Sequence, residues 1–186
     1  MLSSAQVHSG LVWSIGACLY GLAAAPALRE GSMPGVTMAA SLALGLALVT
    51  ASTIDLHTFI LPDAITMPLI VSGLGAHLLQ GGAGFLLSAV AAASGYGLLW
   101  TANWLYLTIR GRQGVGMGDA KLLAGAGAWL DAQLLPTVLL WATAFALASA
   151  LAAAGVGRQL ELGTRLPFGP SLAAGFWLTW LYGAIG

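Results

Sequence analysis

Two carboxylates stand at the ends of apolar runs in a chain that has few charges. Asp55 closes the run SLALGLALVTASTID, and Asp119 opens another within GVGMGDAKLL, with Lys121 two residues further on. Only 6% of the residues are charged. Ionisable groups at membrane depth are costly and therefore mark functional candidates. Two carboxyl groups sharing one partly buried site do not both ionise readily, so the pair can hold a single proton between them. The ionised partner can then take a proton from water, while the protonated one donates to a carbonyl oxygen as charge develops there. That is the chemistry of metal-free peptide hydrolysis.

The elements that must position these groups follow from composition. Of 186 residues, 59% are hydrophobic, and the mean hydropathy is +0.90. Several runs approach or exceed the ~18 apolar residues that mark a membrane-crossing helix. The runs are Ala-, Leu- and Gly-rich, without the alternation of an outer-membrane barrel. The expected fold is all-α: a polytopic transmembrane helical bundle forming one membrane-embedded domain over residues 1–186. Seven candidate spans can be drawn, at about 10–28, 34–54, 64–79, 85–108, 119–131, 134–155 and 169–185. The third and fifth are short, so six spans plus a re-entrant segment is the alternative. The first run is read as a retained span, because no Lys or Arg precedes it as in a signal peptide.

Net charge is zero and no basic tract occurs, so nucleic acid is not an expected partner. Cys18 is the only cysteine and lies in an apolar run. No CxxC is present, His8, His57 and His77 are dispersed, and no metal or other cofactor is expected. The chain carries no internal repeat with matched broken helices, which argues against a transporter built from repeats.

Alternating spans place Arg110, Arg112, Lys121, Arg158 and Arg165 on one side and Arg29 on the other. The basic side is expected to be cytoplasmic. The N-terminus is then cytoplasmic as well, with loops 55–63, 109–118 and 156–168 on the same side. Asp55 and Asp119, 64 residues apart in sequence, come to one depth on that face. From topology alone, a shared site and two separate water-facing charges both remain open.

The remaining polar residues have plainer readings. Glu30 is a loop charge. Asp131, in WLDAQLLP, is expected to cap the following helix, and Asp63, in LPDAITMP, to cap a helix starting at Ala64, after a proline that keeps Leu61 out of helix. Gly116 and Gly118 remove bulk beside Asp119 and would admit a substrate backbone. Asp119 itself falls near a helix N-terminus, whose dipole favours an anion. Lys121 either holds Asp119 ionised, contacts substrate, or extends its ammonium to water. Gly125 and Gly127, in LLAGAGAW, are read as close-packing positions. Trp104, Trp129 and Trp180 are read as interface anchors.

Taken together, DLHTFILPDAITMPL, GMGDAKLLAGAGAWL and LPFGPSLAAG resemble the bacterial type IV prepilin peptidase family, membrane aspartic peptidases of the GxGD class. The three motifs occur in the family's order, over roughly residues 42–178. The resemblance implies that Asp55 and Asp119 are the catalytic pair. It also implies an inner-membrane enzyme that cuts short basic leaders from prepilins, or from type II secretion pseudopilins, at the cytoplasmic face. Glu161 and Asp63 are then acidic groups available to such a leader, and LPFGP is expected to shape the site, with Pro170 in the first turn of the last span. Many family members also carry paired CxxC motifs and methylate the new N-terminus. This sequence resembles a short, peptidase-only form, which puts methylation in doubt. The rival readings are another GxGD intramembrane protease, a proton-coupled transporter or channel relaying through the two aspartates, and a structural subunit of a secretion machine. Oligomeric state is not legible.

Overall fold

The computed structural model describes residues 35–80, 82–112, 114–155 and 167–183. The expected first span at 10–28, together with Cys18, Arg29, Glu30, Arg158, Glu161 and Arg165, lies outside them. The described residues form six α-helices and no strand: α1 (Gly35–Thr58), α2 (Asp63–Gln80), α3 (Gly82–Arg110), α4 (Met117–Trp129), α5 (Leu135–Gly155) and α6 (Gly169–Gly183). A single 3₁₀ turn, Ala132–Leu134, joins α4 to α5. Three stretches are long and apolar enough to cross a membrane: Ala40–Thr58, Gly84–Arg110 and Ala132–Gly155. The protein is thus an all-helical polytopic bundle, with six of the seven expected segments appearing as helices.

Local sequence sets the helix ends. The α1 helix stops where Phe59 adopts a left-handed φ of 53° and its N–H returns to the Asp55 carbonyl at 2.8 Å. Leu61, preceding Pro62, is kept out of helix. The Pro62 carbonyl then receives the N–H groups of Ile65 and Thr66, starting α2. At the end of α3, Gly111 takes φ 67°, which glycine adopts without penalty, and its N–H caps the Leu107 carbonyl at 2.8 Å.

Packing is organised around α4, which lies against α2, α3 and α6. Pairings run Leu61 to Gly118, Leu69 to Gly125 and Gly73 to Ala128, so α2 and α4 are parallel. Against α3 the register runs the other way, with Gly95 on Leu123 and Gly127 on Ala91. The α6 helix is antiparallel to α1: Gly169 meets Asp55 at one end, and Trp180 donates to Ser41 Oγ at 3.0 Å toward the other. Lipid tails provide no hydrophobic drive between helices, so close backbone approach through small residues provides the cohesion. The packing reading of Gly125 and Gly127 agrees with this. A Cβ on Gly125 would lie 2.8 Å from Leu69 Cδ2, and one on Gly127 would collide with the Ala91 carbonyl.

Gly127→Val is therefore expected to destabilise the bundle by at least ~1–3 kcal/mol, the usual cost of overpacking. Thermal unfolding in detergent checks this. Gly97→Ala is the control, since nothing lies within 4 Å of the added carbon.

Two of the tryptophans read as interface anchors make specific contacts within the bundle. Trp129 donates its indole N–H to the Leu69 carbonyl at 2.8 Å and meets Trp180 edge to face, with centroids 5.4 Å apart. Both rings are held by protein partners because each N–H finds an acceptor inside the bundle. Trp104 remains on the outer surface, 55% exposed. Asp131 occupies the N-cap position of the 3₁₀ turn but makes no side-chain cap; its carbonyl receives the Leu134 N–H instead.

Candidate active site

Asp55, Asp63, Asp119 and Gly169 lie at one end of the bundle, because α1 ends there and α2, α4 and α6 begin there. Asp55 falls within the last turn of α1 and is 5% exposed. The sequence reading placed the end of this span at residue 54; the helix runs to Thr58, which draws Asp55 into the packed region. Its Oδ2 accepts the Gly169 N–H at 3.2 Å. That donor is one of the unpaired amides at the N-terminus of α6, where an anion is favoured.

Asp119 is 6% exposed and is the third residue of α4 after its N-cap, Gly116. Its carboxylate turns back over Gly116, so that a Cβ there would lie 3.2 Å from Oδ2. The other oxygen, Oδ1, is buried and has no hydrogen-bond partner. Asp55 and Asp119 lie close enough for direct charge interaction. Leu61 links their surroundings: a Cβ on Gly118 would lie 2.8 Å from Leu61 Cβ, and one on Gly169 2.9 Å from Leu61 Cδ1. The structure thus brings together the two aspartates that the sequence singled out.

The flanking residues depart from their sequence readings in instructive ways. Gly116 has an ordinary extended backbone, φ −69° and ψ 141°. Its lack of a side chain matters because Asp119 Oδ2 would lie 3.2 Å from a Cβ there. The space beside Gly118 is filled by Leu61, so the missing side chain there lets the start of α4 pack closely against that residue. Asp63 is the first residue of α2, and its side chain reaches away to pair with Lys121 at 2.5 Å. The backbone carbonyl of Pro62 starts the helix in its place. Lys121 is thus engaged by Asp63, and their ion pair ties the start of α2 to the start of α4. With Asp63 60% exposed, such a pair stabilises by about 1 kcal/mol or less. His57 is exposed while Asp55 is buried, as two residues on opposite faces of a helix must be. Glu161 lies outside the described residues.

Sequence reasoning marked LPFGP as a site-shaping segment without singling out Gly169 within it, and it missed the part played by Leu61. A glycine wedged before Pro170 was the available signal for Gly169. Leu61 falls within the DLHTFILPDAITMPL motif, but its sequence signal was only that the following proline keeps it out of helix. No group of three or more His, Cys, Asp or Glu side chains suited to hold a metal occurs among the described residues.

Known proteins of the same kind carry this geometry further. The model of the type IV leader peptidase family matches residues 42–153. The prepilin leader peptidase/N-methyltransferase of Burkholderia pseudomallei is 42% identical over 164 residues, 86% of this chain and 53% of the relative. The protein of that name from Dichelobacter nodosus is 42% identical over 149 residues, covering 77% and 50%, and that from Pseudomonas aeruginosa 38% identical over 150 residues, covering 77% and 49%. The chain therefore spans about half the length of these curated relatives. No solved structure matches it. The matched region runs from α1 into α5 and takes in both buried aspartates, and on this match and these identities the chain belongs to the type IV leader peptidase family.

Proposed function

We propose that this chain is a membrane aspartic endopeptidase that removes leader peptides from prepilins or pseudopilins, with Asp55 and Asp119 as the catalytic pair. The observation that carries the proposal is the meeting of two buried carboxylates at one end of the bundle, in a chain of the leader peptidase family. One carboxylate of the pair takes a proton from the attacking water. The other, protonated, donates to the scissile carbonyl oxygen, and the shared proton resets as products leave. Asp119 Oδ1, buried and unpartnered, is a free acceptor or proton carrier for that exchange.

The substrate segment must be extended at the pair, since a helical peptide bond is shielded by its own turn. Non-helical backbone is tolerated at this depth only where protein or a water-filled cavity shelters it. The loops 59–62, 111–116 and 167–168 meet at this end and would provide the shelter. All three described Lys and Arg residues, Arg110, Arg112 and Lys121, also lie at this end, which supports a cytoplasmic site in the inner membrane. With Asp63 paired to Lys121, recruitment of a basic leader falls to Glu161. The second activity in the relatives' names, N-methyl transfer, is outside the proposal.

The deciding experiment is cleavage of a prepilin-like peptide by the purified full chain in detergent, where no proton gradient exists. Cleavage there supports the peptidase. Proton-coupled flux in vesicles, without cleavage, would replace it with a transporter. Because two carboxylates suffice for the reaction, full activity is also expected after chelator treatment, measured as initial rate before and after dialysis. Loss of rate restored by a divalent metal would point to a metalloenzyme.

A further inference from the structure

The segment leading into Asp119 is secured by a residue that no motif marks. Asn103 lies on α3, seven residues before the helix ends, and is 8% exposed despite its amide. After Gly111 the chain doubles back along α3, bringing residues 114–116 to the level of Asn103. There Asn103 Oδ1 accepts the N–H of Gly114 at 3.0 Å and that of Val115 at 3.1 Å. The next residue, Gly116, starts α4: its carbonyl accepts the N–H of Asp119 at 3.1 Å, and a Cβ on it would lie 3.2 Å from Asp119 Oδ2. Two successive backbone donors are therefore held by Asn103, and the residue after them packs against the Asp119 carboxylate. The ring of Tyr106 closes the segment from outside: a Cβ on Gly114 would lie 2.7 Å from Tyr106 Cδ1.

Peptide planes are rigid, so fixing the N–H directions at 114 and 115 restricts where Gly116 can lie. A carboxylate that must meet water and substrate within a fraction of an ångström depends on that placement. We propose that Asn103 is a positioning residue of the active site, orienting Asp119 through the 114–116 backbone without itself touching substrate. The idea rests on the peptidase reading above for its catalytic consequence, but its structural half can be measured without it.

The experiment compares the full-length protein in detergent with Asn103→Leu, which keeps the size and removes the acceptor, and Asn103→Asp, which keeps an acceptor for both N–H groups. Two quantities are read: amide exchange at residues 114–116 by mass spectrometry, and kcat and KM for a prepilin-like peptide. In Asn103→Leu we expect exchange at least about tenfold faster and kcat down by about tenfold to a hundredfold, the order of a small misplacement. KM should change less than about twofold, since peptide binding does not require Asp119 to be aligned. Asn103→Asp should restore both readouts to within about threefold.

Unchanged exchange or unchanged kcat in a folded Asn103→Leu would overturn the proposal. So would a loss of kcat matched by the fraction unfolded, or a failure of Asn103→Asp to rescue. Should Asn103→Leu not fold, Asn103→Gln, which displaces the amide by one methylene, carries the same expectations. If the wild-type protein cleaves nothing, the peptidase reading fails, and exchange at 114–116 alone decides whether Asn103 holds this segment.

Discussion

Asp55→Asn and Asp119→Asn each leave a folded protein whose cleavage rate has dropped by about 10³-fold or more, the upper range for general acid–base groups. The substitution is nearly isosteric. Asparagine at 55 can still accept the Gly169 N–H, so the packing at the end of α1 has no reason to change. The amide can neither take a proton from water nor give one to a carbonyl. Because the two carboxyls act as one unit, the double variant should be no slower than either single one. Thermal stability should hold or rise, since an amide is less costly to bury than a carboxylate. Peptide cleavage and thermal unfolding on the same preparations separate these outcomes. Full rate in both single variants would remove the catalytic pair and favour a structural subunit.

Gly169→Ala should be the next most damaging change, with kcat reduced about a hundredfold, as expected when a reacting group is moved by ~1 Å. The added carbon would lie 2.6 Å from Asp55 Oδ2 and 2.9 Å from both Asp55 Cγ and Leu61 Cδ1. The backbone has little freedom to turn away, because Pro170 restricts the residue before it. Asp55 must therefore shift, together with the N–H it accepts. Binding should be less affected than turnover, so the measurement is kcat against KM, with Gly97→Ala as control. A Gly169→Ala protein of full activity would show that Asp55 has room to spare and that the α6 amide plays no part.

Much of this architecture is legible in the sequence because membrane helices advertise themselves. Apolar runs located six of the helices, and the GxGD and LPD segments marked two of the loops. Asp55 and Asp119 were identified because a carboxylate in such a run has few bland explanations. Lys121 and Asp63 resisted, since each had a local reading, snorkelling or capping, that cost nothing. Only three-dimensional register sets them opposite one another. The role of Gly169 depends on α6 lying antiparallel to α1, a pairing across 114 positions that no local pattern encodes. Asn103 is hidden for a similar reason: its partners are backbone amides, which every residue has. The indole partners of Trp129 and Trp180 were illegible because they come from helices distant in sequence.

The shortness of α4 bears on how the protein is put together. Its 13 residues reach about 20 Å, well under the ~30 Å hydrocarbon core. From Asp119 to Ala128, every residue except Lys121 is buried by protein. A segment this short, opening with a carboxylate, has no stable residence of its own in lipid. It gains one only among α2, α3 and α6, the last of which is synthesised after it. Biogenesis must therefore postpone the seating of α4 until a later helix has arrived. The same event delivers the Gly169 N–H to Asp55, so the nascent chain completes the surroundings of its two buried aspartates only when its final described helix docks.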